Sequence, residues 1–295
     1  MTLTRASPAK LNLALSVGAP DANGYHPLAS WMVATEFHDT LTLEHADRPS
    51  LDVRFASDAL GQHTVDWPSD KDLTWRALLL LAQHTGHQHP LRITVEKRIP
   101  PGGGLGGGSG NAATLLVAAN QYLDLKLSDT TLKSHAAQLG SDVPFFIDAL
   151  QGRPSCLATG YGEQLTPAPH PHPLSLVLIW PGIGAPTGPV YKTFDQLNPN
   201  AAVNLPAVRN LINSQPLGHD QPFNDLARPA MHAQPALRDQ HQRITNCIER
   251  PVHITGSGST LYVIARDDSE AHTIATQITD RLKLDAVATK TLADQ

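Results

Sequence analysis

Apolar and polar positions alternate along residues 91–99, with Leu91, Ile93, Val95, Lys97 and Ile99 on one face and Arg92, Thr94, Glu96 and Arg98 on the other. A period of two is that of a half-buried strand. Further on, Ala112, Leu115, Leu116, Ala119 and Leu123 recur at helical spacing and predict a buried helix. Between them lies the glycine-rich run of residues 100–114, PPGGGLGGGSGNAAT, in which Gly102, Gly103, Gly104, Gly106, Gly107 and Gly108 surround a single apolar anchor, Leu105.

The same reading predicts strands at 11–17 and 31–37, joined by a turn-rich segment at 19–27, and further strands at 40–44 and 51–55. Ser69 and Asp70 are expected to cap a helix with Leu73, Ala77, Leu80 and Leu81 inward, ending near Gly86. Ser128 and Asp129 open another, with Leu132, Ala136 and Leu139 at helical spacing. Residues 166–173 are rich in Pro and His and mark a boundary between two domains, 1–165 and 166–295. Beyond it come a strand at 174–180, helices near 206–214 and 234–248, and a strand pair at 252–255 and 260–265 around Gly256-Ser257-Gly258-Ser259. A last helix places Ala271, Ile274, Ala275, Ile278 and Leu282 on one face. Strands and helices mix without strict βαβ alternation and without an internal repeat, which favours an α+β fold.

A glycine run between a strand and a helix is a backbone suited to phosphate, because glycine adopts positive φ and the helix start offers unpaired N–H groups. A flexible linker is the other reading of such a composition. The periodic strand and helix on either side argue against it. Gly102, Gly104 and Gly107 satisfy G-x-G-x-x-G, yet a dinucleotide-binding unit returns from its helix to a parallel strand, and here a second helix follows. There is no G-x-x-x-x-G-K-[ST], and the H-R-D and D-F-G signatures of protein kinases are also missing.

Composition narrows the function classes. The 295 residues can bury a large core, and a formal charge of −5 with no Lys/Arg cluster gives no footprint for nucleic acid. Cys156 and Cys247 are far apart and lack metal-ligand spacing, so each is expected to be a buried thiol in a reducing cytoplasm. The histidines at 84, 87, 89, 170 and 172 sit in polar or Pro-rich connections without a matching ligand set and are expected to be solvated. No apolar stretch approaches the ~20 residues of a membrane span, and no export signal is recognisable, so a soluble cytoplasmic protein is expected.

Two short constellations complete the picture. In Ser7-Pro8-Ala9-Lys10-Leu11-Asn12-Leu13, Lys10 and Asn12 are two apart and share a face if this is a strand. In Gly140-Ser141-Asp142-Val143-Pro144-Phe145-Phe146, one carboxylate stands in an apolar stretch, where a capping or turn role is the commoner one. With the glycine loop, these segments resemble the GHMP superfamily of small-molecule kinases. SPAKLNLAL, NGYHPLASWM, KRIPPGGGLGGGSGNAATLL, LGSDVPFF, ATGYGEQL, FNDLA and ITGSGSTLYV, which extend from residue 7 to about 265, resemble the branch acting on diphosphocytidyl-methylerythritol in non-mevalonate isoprenoid synthesis.

The resemblance implies an N-terminal domain like the second domain of ribosomal protein S5, a ferredoxin-like C-terminal domain, and an active site in the cleft between them. It implies transfer of the ATP γ-phosphate, with Mg²⁺, to the 2-hydroxyl of that small-molecule substrate. Asp142 would be the base, with Lys10 holding it ionised and orienting the hydroxyl. ATP would lie against Lys97 and the run Pro100, Pro101, Gly102, Gly103, Gly104, Leu105, Gly106, Gly107, Gly108, Ser109 and Gly110. Tyr25 and Tyr191 would sandwich the cytosine, His26 would read its edge, Thr187 lies nearby, and Asn12 would bind the erythritol. Gly256 to Ser259 resembles a third superfamily motif, although a plain hairpin turn looks similar.

Two departures stand out. The usual Ser-Ser-Asn is Ser109-Gly110-Asn111, one hydroxyl fewer, and the usual Asn-Leu bordering the adenine pocket is Asp72-Leu73. Another GHMP kinase, acting on mevalonate or homoserine, and a nucleotide-binding sensor without catalysis are the alternatives. Intact Lys10 and Asp142 speak against the sensor, and Tyr25-His26 speaks for the diphosphocytidyl substrate. The sequence names no metal-binding residue and leaves monomer and homodimer open.

Overall fold

A computed structural model describes residues 2–61, 63–170, 172–214 and 216–294. The chain forms two compact units, each assembled from three stretches. The first comprises the chain up to Ala9, Phe37–Pro101 and Gly106–Pro154; the second comprises Lys10–Glu36, Gly102–Leu105 and the chain from Ser155 onward.

Strands β1 (Thr2–Val17) and β2 (Leu28–His45) contribute to both units. Both are longer than their hydrophobic pattern suggests. The predicted strands at 31–37 and 40–44 are one strand, whose polar interruption includes Asp39, which is fully buried. The predicted strand at 11–17 is the second part of β1, whose first residues alternate between exposed and half-buried positions.

In the first unit, β3 (Ser50–Phe55) runs parallel to β4 (Leu91–Lys97), and β4 pairs antiparallel with residues 40–45 of β2. Helix α1 (Leu73–Thr85) separates β3 from β4 in the chain. Its cap is Asp72, not Ser69 or Asp70, which lie in a single 3-10 turn before it. Thr74, Ala77, Leu78 and Leu81 form its buried face and Leu80 is only half-buried, because a run of four leucines carries no phase of its own. Helix α2 (Gly107–Tyr122) packs on α1, α3 (Asp129–Leu139) and α4 (Val143–Ala149). Its alanines and glycines allow burial nearly all round. The Cβ of any residue replacing Gly110 would stand 2.8 Å from the Pro8 carbonyl oxygen and 3.2 Å from Ser7 Oγ.

In the second unit, β5 (Ser155–Thr159) runs antiparallel to residues 30–33 of β2 and to β6 (Gln164–Pro167). Then follow β7 (Ser175–Trp180), α5 (Thr187–Leu197), α6 (Leu205–Asn213), and the short β8 (Phe223–Asn224), which adds in parallel to β1. Helices α7 (Ala227–Ala233) and α8 (Pro235–Ile248) lead to β9 (His253–Ile254), β10 (Leu261–Ile264), α9 (Asp268–Leu282) and β11 (Asp285–Lys290). The four-stranded sheet has the order β11-β7-β10-β9, all neighbours antiparallel. This is the β-α-β-β-α-β succession of a ferredoxin-like domain, with extra helices between the first two strands.

The expectation for the histidines is only partly met. His84, His87 and His172 are exposed, but His89 and His170 are buried. His170 packs edge-on against the fully buried Trp31, shares a 2.7 Å hydrogen bond through Nε2 with Thr291 Oγ1, and is held by burial at a pKa of about 4. Pro171, within the expected boundary segment, lies outside the described residues. Cys156 is buried and Cys247 half-buried. Among the described residues no helix is long and apolar enough to cross a membrane.

Candidate active site

Lys10 and Asn12 face the same way from β1 and are almost completely buried. Burying an ammonium is costly unless hydrogen bonds replace its water. The Lys10 ammonium donates to Asn12 Oδ1 at 2.7 Å, and the Asn12 amide donates to Ser30 Oγ at 2.8 Å. Ser30 Oγ in turn donates to the Ala14 carbonyl at 2.8 Å, and the Asn12 N–H donates to Thr255 Oγ1 at 3.1 Å. The chain orients the Asn12 amide at both ends. A cation with a prescribed position results.

The Lys10 N–H donates to the Leu105 carbonyl at 2.9 Å, which ties this strand to the first part of the glycine run. Gly102 and Gly104 have φ of 68° and 77°, a region where a side chain is strained. At Gly104 space is lacking as well, since a Cβ would stand 2.5 Å from the Thr255 carbonyl oxygen. The Thr260 N–H donates to the Gly103 carbonyl at 3.2 Å, so these glycines lie directly on the turn between β9 and β10. That turn has its own positive φ at Gly256 and Gly258.

The second part of the run belongs to a helix. Gly107 and Gly108, read from sequence as loop, form the first turn of α2, and Gly106 is its cap at φ 70°. The cap, Gly106, offers no side chain to accept from the first-turn N–H groups, which suits an anion there. Gly107 is held against Ile99, whose Cγ2 would be 2.8 Å from an added Cβ.

Behind that turn is a residue the sequence reading missed. Asp39 Oδ2 accepts from Lys97 Nζ at 2.5 Å and from Asn111 Nδ2 at 3.0 Å, while Oδ1 accepts from the N–H groups of Arg98 and Ile99 at 2.6 and 2.8 Å. Lys97, expected beside the adenosine, is 4% exposed with its charge directed at Asp39. Asp72 is likewise engaged, accepting from the Thr74 N–H at 2.8 Å and from Trp67 Nε1 at 2.9 Å. Asp142 occupies the N-cap position of α4 but makes no side-chain capping bond there.

Tyr25, His26 and Tyr191 line one cavity of about 430 Å³, with Gly24, Leu28, Tyr161, Gly188, Lys192 and Asp195. His26 Nδ1 lies 3.0 Å from the Gly18 carbonyl, which can only accept, so Nδ1 carries a proton. Its ring is 4.7 Å from that of Tyr191, and Nε2 is 3.5 Å from Asp195 Oδ1. Thr187 adjoins the cavity in sequence, and its hydroxyl is 3.0 Å from Ser257 Oγ. Asn12 is not among the cavity's lining residues. Tyr161 and Asp195, which also line the cavity, were missed.

Residues 72–149 match the GHMP kinases N terminal domain. The chain is 32% identical over 295 residues to a 4-diphosphocytidyl-2-C-methyl-D-erythritol kinase of Caulobacter vibrioides, covering 94% of this chain and 95% of that one. A crystal structure of 4-(cytidine 5'-diphospho)-2C-methyl-D-erythritol kinase matches 99% of this chain and 100% of its own, at 30% identity and a TM-score of 0.80. A homoserine kinase from Cytophaga hutchinsonii, at 16% identity and a TM-score of 0.65 over 100% and 95% of the two chains, shares the fold. With its glycine run, its Lys10–Asn12 face and a likeness covering nearly its whole length, the chain belongs to the 4-diphosphocytidyl-2-C-methyl-D-erythritol kinases of the GHMP kinase group.

Proposed function

We propose that the chain transfers the γ-phosphate of ATP to the 2-hydroxyl of 4-diphosphocytidyl-2-C-methyl-D-erythritol, giving the 2-phosphate and ADP in the non-mevalonate route to isoprenoid precursors. The observation that carries the substrate half is the aromatic cavity of about 430 Å³ in the unit that also holds Lys10 and Asn12. Its size suits a nucleoside, and Tyr25 and Tyr191 offer ring faces to a base. Stacking is tolerant of base identity, so choice of cytosine falls to edge contacts, which we assign to His26. Asn12 is assigned to the erythritol, and Thr187 to the approach from α5.

The glycine run suits the ATP phosphates on two grounds. A Cβ at Gly102 would meet nothing within 4 Å, leaving room beside the backbone, and the start of α2 has no side-chain cap. Gly102 to Gly110 are assigned to the phosphates, with Pro100 and Pro101 shaping the entry and Lys97 supporting the run from behind. Among the described residues no cluster of three or more His, Cys, Asp or Glu could hold a metal ion. Mg²⁺ would enter with ATP; Ser109 is the hydroxyl of the run that would help hold it, and the ion would offset the charge on the transferred group.

An alcohol is a poor nucleophile at neutral pH, and Asp142 is assigned to accept its proton as the new P–O bond forms. Lys10, fixed by Asn12, is assigned to orient the hydroxyl. Positioning supplies most of the remaining acceleration. We place the reaction in the cytoplasm, where ATP and a membrane-impermeant diphosphate substrate occur together.

The test is a substrate panel. Purified protein with ATP and Mg²⁺ should release ADP with the diphosphocytidyl substrate and not with mevalonate or homoserine. Asp142→Ala should lower turnover by about 100-fold or more while leaving ATP binding intact. ADP release with mevalonate or homoserine alone would replace the assignment by another kinase of the same fold.

A further inference from the structure

We infer that Tyr161 and Asp21 form a latch that sets the position of Tyr25, which makes both of them positioning residues for the nucleobase half of the substrate. The inference rests on the nucleobase reading of the aromatic cavity. Asp21 closes its own loop. Its Oδ1 accepts from the N–H groups of Asn23 and Tyr25 at 2.9 and 3.0 Å, and its own N–H donates to the Tyr25 carbonyl at 2.8 Å. Asp21 Oδ2 points elsewhere and accepts from the Tyr161 hydroxyl at 2.6 Å.

Tyr161 comes from a different part of the unit, the turn between β5 and β6, and is rigidly mounted. Gly160 and Gly162 flank it at φ of 71° and 103°, its N–H donates to Glu163 Oε2 at 2.6 Å, and the Gly160 carbonyl accepts from the Leu28 N–H at 2.8 Å. The Tyr25 and Tyr161 rings lie 5.8 Å apart and tilted by 57°. Both line the cavity, yet they are 65% and 47% exposed, among the most exposed large apolar side chains described.

An exposed phenol–carboxylate bond adds little to folding, because water competes for both groups. Its effect on a ligand is different. A flexible loop that must be ordered on binding costs affinity, and a bond that orders it beforehand removes that cost. The two Asp21 oxygens serve this end separately, one holding the loop's backbone and the other fastening it to a fixed turn. The Tyr161 hydroxyl also holds the Asp21 carboxyl below its ordinary pKa, which keeps the accepting group ionised.

The experiment measures CMP affinity by calorimetry, and steady-state kinetics with ATP and the diphosphocytidyl substrate, for the full chain and for Tyr161→Phe, Asp21→Asn and Asp21→Ala. Tyr161→Phe keeps the ring and should weaken CMP binding and raise KM for the diphosphocytidyl substrate by about 3- to 10-fold, with kcat and KM for ATP unchanged. Asp21→Ala should cost more than Asp21→Asn, whose amide oxygen can still accept from the loop. Adding Tyr161→Phe to Asp21→Ala should cost nothing further. Unchanged CMP affinity in both Tyr161→Phe and Asp21→Ala would overturn the latch, as would a loss of thermal stability and kcat with KM unmoved. A wild-type chain that binds CMP without phosphorylating the diphosphocytidyl substrate would sink the proposed reaction, while the CMP titrations still decided the latch. No CMP affinity in the wild type would remove both the nucleobase reading and the latch.

Discussion

The Lys97 ammonium donates to Asp39 Oδ2 at 2.5 Å, both residues being almost or fully buried. A buried pair whose remaining lone pairs are also satisfied is costly to break from one side, because the surviving charge is stranded. Asp39→Ala and Lys97→Met should each lower unfolding free energy by about 3–5 kcal/mol in urea titrations. The double variant should lose clearly less than the two losses combined. Strict additivity would mean that the two groups support the loop independently.

Gly110 raises the question of a missing hydroxyl, and its surroundings answer it. An added Cβ 2.8 Å from the Pro8 carbonyl oxygen cannot be accommodated without moving backbone. The better helix propensity of alanine is worth about 1 kcal/mol, and overpacking costs about 1–3 kcal/mol, so the clash outweighs the gain. Gly110→Ala and Gly110→Ser should both lower the melting temperature without improving KM for ATP. A tighter KM for ATP in Gly110→Ser would show that the absent hydroxyl is a lost phosphate contact.

Gly102 and Gly104 separate two reasons for glycine. Both have positive φ, but only Gly104 lies against backbone. Gly102→Ala should cost about 1–2 kcal/mol from conformation alone. Gly104→Ala should cost distinctly more and yield poorly folded protein on circular dichroism and thermal unfolding. Equal effects would remove steric contact with Thr255 as the deciding factor.

His170 couples stability to acidity. Its pKa of about 4 lies below the ordinary 6.5, so the unfolded chain takes up a proton before the native one does. Stability contributed by the neutral ring is therefore intact above pH 6.5 and lost progressively as pH falls from about 6.5 to about 4, to a total of roughly 3 kcal/mol. Denaturant titrations across that range should show a steeper decline for wild type than for His170→Gln. Parallel curves would rule out His170 as the source.

Periodic segments were the legible part of this fold. The strand at 91–99, the helices near 206–214 and 234–248 and the final helix follow from spacing because each buries one face. Helices α4 and α5 did not, since Pro144 and the pair Gly188-Pro189 stand near their starts, where a missing N–H or a flexible residue is tolerated but reads as a break. Asp39 was illegible for a related reason. A carboxylate inside a strand looks like an interruption until the two backbone N–H groups, the amide and the ammonium that converge on it are known. The candidate site is built from short motifs that a local reading can single out, the glycines, Lys10 with Asn12, and Tyr25-His26. Tyr161 and Asp21 meet only through a long-range contact, 140 positions apart, which no local pattern records.

The bond from the Thr260 N–H to the Gly103 carbonyl, with Gly104 pressed on Thr255, makes one object of two segments far apart in the chain. Substitutions along 102–104 should covary with those along 255–260 among relatives, and anyone transplanting this glycine run into another kinase would need to carry the distant turn with it as a single cassette.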